Sequence, residues 1–328
     1  MSEALTPVSR HADGVRRVIV IPLSGFVNRL QAMASAAILA REWNAEYYVC
    51  WRRQPAADVA ASDLFTTQFC DRHVIAPEQL PELSGLSVDD IGLYLNRRES
   101  VLTLAGHDRG EQAFMSEVAQ HLAAPDPPST LILRAGGKFS LPQAGDDRWF
   151  REQRQRWYRE LPLHEDITAA AERLRQEHPR SIGLHLRYTD RSHQVPTDRR
   201  IQAAVDDVAR RADCTSILIA SDTPAKRDRW ARRLTAQGLD PWFAEHSQMD
   251  RTSIAGAHGA LVDFLLLSGT VGMVYFAESS FGEEAAVASG SFDVSEGLAA
   301  SSTMSALART RTLMGAAVTY PRRHGWMG

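Results

Sequence analysis

Three predicted strands in the second half of the chain end in charged or hydroxyl side chains. These side chains are His185, Arg187, Asp222, Ser279 and Ser280. In an open α/β sheet, ligands bind just beyond the carboxyl ends of the strands. The sequence therefore predicts a polar ligand site at that edge of the sheet.

Arg187 suggests what the ligand is. Side chains alternate along a strand, so His185 and Arg187 point to the same face. A guanidinium placed there is costly unless it meets an anion, and its planar fork suits a pair of phosphate oxygens. We expect a phosphate ligand; the alternative is an internal ion pair with Asp190 or Asp222.

Ser279 and Ser280 come immediately before a predicted helix that begins at Phe281. The free N–H groups and the positive end of a helix form a natural phosphate cradle, to which the hydroxyls add donors. The alternative is that one serine only caps the helix. Together with Arg187, this junction would hold a diphosphate from two sides.

Asp263 lies in the middle of an apolar helical run, 260–268. A carboxylate at this position either faces solvent or is buried with a partner. A pair of donors such as N1–H and the exocyclic amine of guanine would satisfy both of its oxygens.

Gly25, Asn28 and Arg29 follow the first predicted strand, 17–23, at a glycine turn into a helix. A strand, a glycine turn and a helix at the front of a chain begin an α/β fold. This turn supplies a second set of polar groups beyond a strand end.

The elements that must position these groups alternate along the chain. Strands separated by helices of 10–15 residues predict parallel, doubly wound sheets. The predicted strands cover 17–23, 45–51, 101–104, 131–133, 182–187, 217–221, 242–243 and 272–276. The predicted helices cover 27–42, 111–122, 149–161, 165–176, 200–212, 224–234, 259–268 and 281–288.

The length of 328 residues predicts two domains. We expect a flexible leader at residues 1–15, an N-terminal α/β domain at 16–160 and a C-terminal α/β domain at 161–328. The last helix is a candidate for packing back on the N-terminal domain.

Composition excludes several classes of protein. The net charge of −3 gives no reason to expect nucleic acid as a partner, and the apolar runs are too short for a membrane span. Three scattered cysteines favour neither a disulfide framework nor a Cys-based zinc site. The polar start of the chain lacks a signal core, so a cytoplasmic location is expected.

Common catalytic motifs are absent from the sequence. No P-loop, G-x-G-x-x-G, G-x-S-x-G or H-E-x-x-H pattern occurs. No Asp-x-Asp occurs either, so the sequence lacks the usual motif for binding a nucleotide diphosphate through a metal ion. We therefore expect no cofactor and no metal.

The ordered motifs resemble the fucosyltransferase superfamily, in particular its nodulation-type, α1,6- and protein O-fucosyltransferase members. The resemblance rests on the segments 25–30, 182–190, 219–224, 260–268 and 278–281. It implies an α/β fold of two Rossmann-like domains facing a cleft (GT-B type). The N-terminal domain, 16–160, would lie on the acceptor side, and the C-terminal domain, 161–328, would bind the nucleotide sugar. It also implies a metal-independent, inverting transfer of fucose from GDP-fucose to a hydroxyl acceptor, a glycan or small glycoside.

The resemblance also implies roles for individual residues. Arg187 would hold the β-phosphate, and Ser280, helped by Ser279, the phosphates. His185 and Asp263 would contact the guanine. The remaining predicted donor-binding residues are Gly25, Asn28, Arg29 and Asp222.

The sequence departs from the family pattern at two places. The family's tandem arginine is Arg187-Tyr188 here, although a basic residue, Arg191, follows the Thr-Asp pair. Val195 stands where the family carries an acidic residue proposed as the base, and His193 and Asp198 are the nearby candidates. Two alternatives therefore stay open: a transferase for another nucleotide sugar, and a GDP-sugar-binding protein without catalysis.

Overall fold

The computed structural model describes residues 16–79, 101–105, 129–139, 147–189, 195–246, 250, 252–277 and 279–299. They form two compact units. The first unit comprises the described residues up to Pro179, together with Ala244–Gly269 and Glu284–Gly290. The second unit comprises Arg180–Phe243, Thr270–Glu283 and the described residues from Ser291 onward.

The first unit is built on a five-stranded parallel sheet. Its strands are β1 (Arg17–Pro22), β2 (Glu46–Cys50), β3 (Val74–Ile75), β4 (Val101–Ala105) and β5 (Thr130–Ala135). They lie in the order β3-β2-β1-β5-β4, and every pairing is parallel. The central strand β1 is buried on both faces, which explains its continuous apolar run.

Among the described residues, five helices lie wholly in the first unit. They are α1 (Phe26–Glu42), α2 (Thr67–His73), α3 (Asp147–Arg159), α4 (Glu165–Glu177) and α7 (Ile254–Ser268). The chain turns from β1 into α1 at Ser24, whose φ of 68° lies in the left-handed region. Two short 3-10 turns, Ala61–Asp63 and Pro77–Gln79, also belong to this unit.

The second unit contains another five-stranded parallel sheet. Its strands are β6 (Ile182–Leu186), β7 (Ser216–Ser221), β8 (Asp240–Trp242), β9 (Met273–Phe276) and β10 (Glu296–Leu298). Their order is β10-β9-β6-β7-β8, and all pairings are parallel. The connecting helices are α5 (Asp198–Ala212), α6 (Pro224–Thr235) and α8 (Ser280–Ser289).

Local sequence explains where these helices begin. Thr197 caps α5 by accepting a hydrogen bond from the backbone N–H of Arg200 at 3.4 Å. Pro224 occupies the first position of α6, where its missing N–H is not needed. The division between the two units falls inside α8, because residues 280–283 belong to the second unit and Glu284 to the first.

The predicted α/β class with two parallel sheets is confirmed. The edge strands β3 and β10 and the short helix α2 were missed, and α7 begins at Ile254 instead of 259. The leader predicted at 1–15 and the helix predicted at 111–122 lie outside the described residues. The predicted domain boundaries and the placement of the last helix stay predictions.

None of the helices in the described part of the chain is long and apolar enough to cross a membrane. The cytoplasmic location stays a prediction.

Candidate functional site

The order of strands in the second unit indicates where a ligand is expected. The chain runs from β6 outward to β7 and β8, and then crosses back to place β9 on the other side of β6. The strand order therefore reverses between β6 and β9, and ligands of open α/β sheets bind beyond the carboxyl ends at such a reversal. The predicted residues 185, 187, 222, 279 and 280 all lie at the ends of β6, β7 and β9.

His185, the penultimate residue of β6, is buried with 7% of its surface exposed. Its ring stacks on Phe281 at 4.9 Å between centroids, with 8° between the planes. Burial lowers the pKa of the imidazole to about 4, and the charge of Arg187 adds to the effect. The ring is therefore neutral at neutral pH, and its buried Nδ1 has no hydrogen-bond partner among the described residues.

The lowered pKa of His185 predicts a loss of stability in acid. Between about pH 6.5 and 4 the unfolded chain binds the proton and the folded chain does not, so acidification favours unfolding. Because one pKa unit corresponds to 1.36 kcal/mol, the loss attributable to His185 is about 3 kcal/mol, complete near pH 4.

Urea denaturation at several pH values measures this loss. The wild type should lose more stability than a His185→Asn variant across the same interval, since carboxylates titrate in both proteins. Parallel pH profiles for the two proteins would contradict the buried, neutral state of the ring.

The first turn of α8 lies against β9. Ser279 is 1% exposed; its N–H donates to the carbonyl of Phe276 at 2.8 Å, and its own carbonyl accepts from the N–H of Glu283 at 3.1 Å. Its buried Oγ has no hydrogen-bond partner in the described part of the chain. Buried polar atoms normally form hydrogen bonds. Because Ser279 Oγ and His185 Nδ1 form none with the described residues, this edge of the sheet is a candidate site for a polar ligand.

Gly282 allows this close packing of α8. A Cβ at this position would lie 2.4 Å from the Cβ of Tyr275 and 3.1 Å from Nδ1 of His185. We expect Gly282→Ala to displace the first turn of α8 and to cost about 1–3 kcal/mol, as overpacking does. Thermal unfolding measures this cost.

Gly25→Ala is the matched control for Gly282→Ala. A Cβ at Gly25 would meet nothing within 4 Å, and the φ of Gly25 is an ordinary −69°. Equal unfolding temperatures for the two variants would show that α8 does not pack as described.

Arg187 follows β6 in a turn that Asp222 organises. The Asp222 carboxylate accepts from the N–H of Tyr188 at 2.9 Å and from the N–H and Oγ1 of Thr189 at 3.2 and 2.7 Å. Its oxygens thus fix the backbone that presents Arg187, which is half-buried. Asp222 is a positioning residue in this structure, and its contact with the donor stays a prediction.

Of the two candidate bases, Asp198 is among the described residues and His193 is not. Asp198 opens α5, and its carboxylate forms ion pairs with Arg229 and, at 3.7 Å, with Arg233. The Asp198 carboxylate is thus paired with two guanidinium groups of α6. The assignment of the base to His193 or Asp198 stays a prediction.

The predicted residues of the first unit follow β1. Arg29 is fully buried, and its guanidinium donates to the carbonyls of Ser24 at 2.9 Å and Arg52 at 2.6 Å and to Oε1 of Gln54 at 3.2 Å. It also lies 4.6 Å from the Trp51 ring centre. These contacts hold the loops after β1 and β2 together, while a donor contact for Gly25, Asn28 or Arg29 stays a prediction.

Asp263, on α7 of the first unit, has a protein partner. Its Oδ1 lies 2.8 Å from Nε2 of His246, and both side chains are nearly buried. A Cβ at Gly259 would lie 3.0 Å from the His246 ring, so this glycine leaves room for the histidine. The expected alternative of burial with a partner is thus observed, and the guanine contact stays a prediction.

Glu284, on α8, was not identified from the sequence. Its fully buried carboxylate accepts from Arg154, from Nε2 of Gln31 at 3.0 Å and from the Tyr158 hydroxyl at 2.9 Å. All four residues belong to the first unit. No motif signals this cluster, because its members come from distant parts of the chain.

No group of three or more His, Cys, Asp or Glu side chains that could hold a metal ion occurs among the residues described here.

Comparison with solved structures assigns the fold. The chain is similar to NodZ alpha-1,6-fucosyltransferase soaked with GDP-fucose, with a TM-score of 0.55, 17% identity, and coverage of 83% of this chain and 92% of that one. For fucosyltransferase NodZ from Bradyrhizobium the TM-score is 0.52 at 17% identity, with 82% and 92% covered. For a mutant of FUT1 from Arabidopsis thaliana in complex with GDP it is 0.53 at 17% identity, with 84% and 69% covered.

These proteins are GT-B fucosyltransferases, and the chain shares their fold. No protein-family model matches the sequence, and no curated protein matches it either.

Proposed function

We propose that the protein transfers fucose from GDP-fucose to a hydroxyl group of a glycan or small glycoside, with inversion and without a metal ion. One observation carries the proposal: His185 Nδ1 and Ser279 Oγ, both buried and without a described partner, lie at neighbouring strand ends beside Arg187. This is a polar site at a reversal of strand order, where nucleotides bind.

The choice of donor rests on the fold and on the residues. Of the proteins with a similar fold, the Arabidopsis FUT1 mutant was solved in complex with GDP, and NodZ was soaked with GDP-fucose. A guanidinium beside the N-terminus of α8 suits a diphosphate. The buried His185 ring, stacked on Phe281, lies at the same edge.

In the proposed reaction the acceptor oxygen attacks the anomeric carbon of fucose from the side opposite the diphosphate. The bond from that carbon to the β-phosphate oxygen breaks, and its electron pair leaves with GDP. Arg187 and the N–H groups at the start of α8 stabilise the charge that builds on the diphosphate. The acceptor proton goes to a base, for which His193 and Asp198 are the candidates.

Thermal-shift measurements with GDP, UDP and ADP in EDTA test donor recognition. A ligand at 100 times its Kd adds about 2.7 kcal/mol of stability, so GDP should raise the unfolding temperature and UDP should not. Equal shifts with GDP and UDP would favour a transferase for another nucleotide sugar.

Consumption of GDP-fucose tests catalysis. Incubation with the protein and a panel of glycosides should release GDP in EDTA. Binding of GDP-fucose without any release of GDP, by transfer or hydrolysis, would favour a binding protein without catalysis.

A further inference from the structure

Lysine is rare in this chain. Of 37 lysines and arginines, only Lys138 and Lys226 are lysines. Lys226 is the third residue of α6, directly beyond the carboxyl end of β7. It thus lies at the same edge of the second sheet as Arg187 and Ser279.

The electrostatics of α6 do not favour a cation at this position. The start of a helix carries a partial positive charge, which opposes a nearby cation by about 0.3–1 kcal/mol. The first turn of α6 itself has no acidic residue, and Thr223 makes no side-chain cap. The nearest acidic residue before the helix is Asp222. The Thr223 hydroxyl instead donates to Asp222 at 3.1 Å.

Lys226 also differs from the neighbouring cations in its partners. Arg227 pairs with Asp228 at 2.9 Å, and Arg229 pairs with Asp198. No described carboxylate forms an ion pair with Lys226. Its amine lies over the Tyr188 ring instead, 5.2 Å from the ring centre.

Tyr188 holds that amine at the ligand edge. It directly follows Arg187, and its ring lies edge-on to Phe276, the last residue of β9, at 5.9 Å. Its hydroxyl accepts from Nε1 of Trp230 at 3.2 Å. Since β6 lies between β7 and β9, the contacts of Tyr188 extend from α6 across the end of β6 to the end of β9.

We propose that Lys226 provides a second positive charge for the diphosphate of the nucleotide sugar, on the β7 side of Arg187. The inference rests on the proposed function and deepens it, because it names a second cationic residue for the same ligand. An ammonium is a compact point charge with three donors. It therefore complements the planar guanidinium of Arg187 and, on the β9 side, the hydroxyl of Ser279. Without the ligand, the Tyr188 face holds the amine in place.

Competitive labelling of amines tests the contact directly. The folded protein is treated with limiting formaldehyde and cyanoborohydride, with and without saturating GDP, and peptide mass spectrometry reads methylation at each lysine. We expect GDP to slow methylation of Lys226 at least fivefold. An unchanged rate at Lys226, while GDP still raises the unfolding temperature, would overturn the inference and leave the proposed function standing.

Substitutions test the charge. Lys226→Gln should weaken GDP binding about tenfold, and should weaken GMP binding less, because GMP lacks the second phosphate. Lys226→Arg should retain most of the affinity. Arg232→Gln is the matched control, since it removes one charge from the exposed last turn of the same helix, about 9 Å further along the axis.

The outcomes separate the two proposals. Equal GDP affinity for Lys226→Gln and Arg232→Gln would contradict the role of Lys226 alone. If the wild type binds no GDP, the proposed function fails and this inference fails with it.

Discussion

Arg187→Ala is expected to slow fucosyl transfer by about 10²–10³-fold, because loss of one preorganised group at a developing charge has this effect. In the proposed reaction negative charge grows on the β-phosphate as the bond to fucose breaks, so we expect the guanidinium to stabilise the transition state more than bound GDP-fucose. The rate constant should therefore fall more than GDP affinity. Release of GDP from saturating GDP-fucose, with a separate measurement of GDP binding, distinguishes the two effects.

Two variants control for charge and folding. Arg187→Lys keeps the charge and should recover part of the rate. Arg199→Ala removes a charge from an exposed position in the first turn of α5 and should leave the rate unchanged. Turnover within threefold of wild type for a folded Arg187→Ala protein would refute the assignment.

Glu284→Gln is expected to cost about 3–5 kcal/mol of stability, since breaking a buried ion pair leaves the other charge uncompensated. The charge left behind is that of Arg154, whose side chain is 3% exposed. Urea denaturation followed by circular dichroism measures the loss.

A double variant tests that explanation. Arg154→Met combined with Glu284→Gln removes both charges and keeps an acceptor for the Tyr158 hydroxyl, so it should be more stable than Glu284→Gln alone. Glu160→Gln, at an exposed position, should change stability by about 0.5 kcal/mol or less. A double variant no more stable than the single one would show that the unpaired Arg154 is not the cause.

The fold was predictable where the sequence carries a strong pattern. Central strands such as β1 and β6 are buried on both faces, so their apolar runs identify them. The edge strands β3 and β10 have only two and three residues. Segments this short leave no periodicity to recognise.

The candidate site was predictable in its location more than in its contacts. Chain order places His185, Arg187 and Ser279 at strand ends, and parallel strands bring those ends together. The same reasoning predicted a donor contact for Arg29, but a buried arginine that binds backbone carbonyls has the same sequence signature. The partners of Glu284 depend on packing between distant segments, which spacing does not encode. The partner of Asp263 lies only 17 residues earlier but outside its helix, so the helical pattern does not reveal it.

The buried ion pair between Arg154 and Glu284 also determines when the first unit can be completed during synthesis. Arg154 is made 130 residues before Glu284, a delay of roughly 7–26 s at 5–20 residues per second. Thr130 of β5 likewise follows its partner Arg17 of β1 by 113 residues. The first unit is therefore finished only after residue 284 has been made. A chain stalled before that residue leaves the Arg154 guanidinium without its carboxylate.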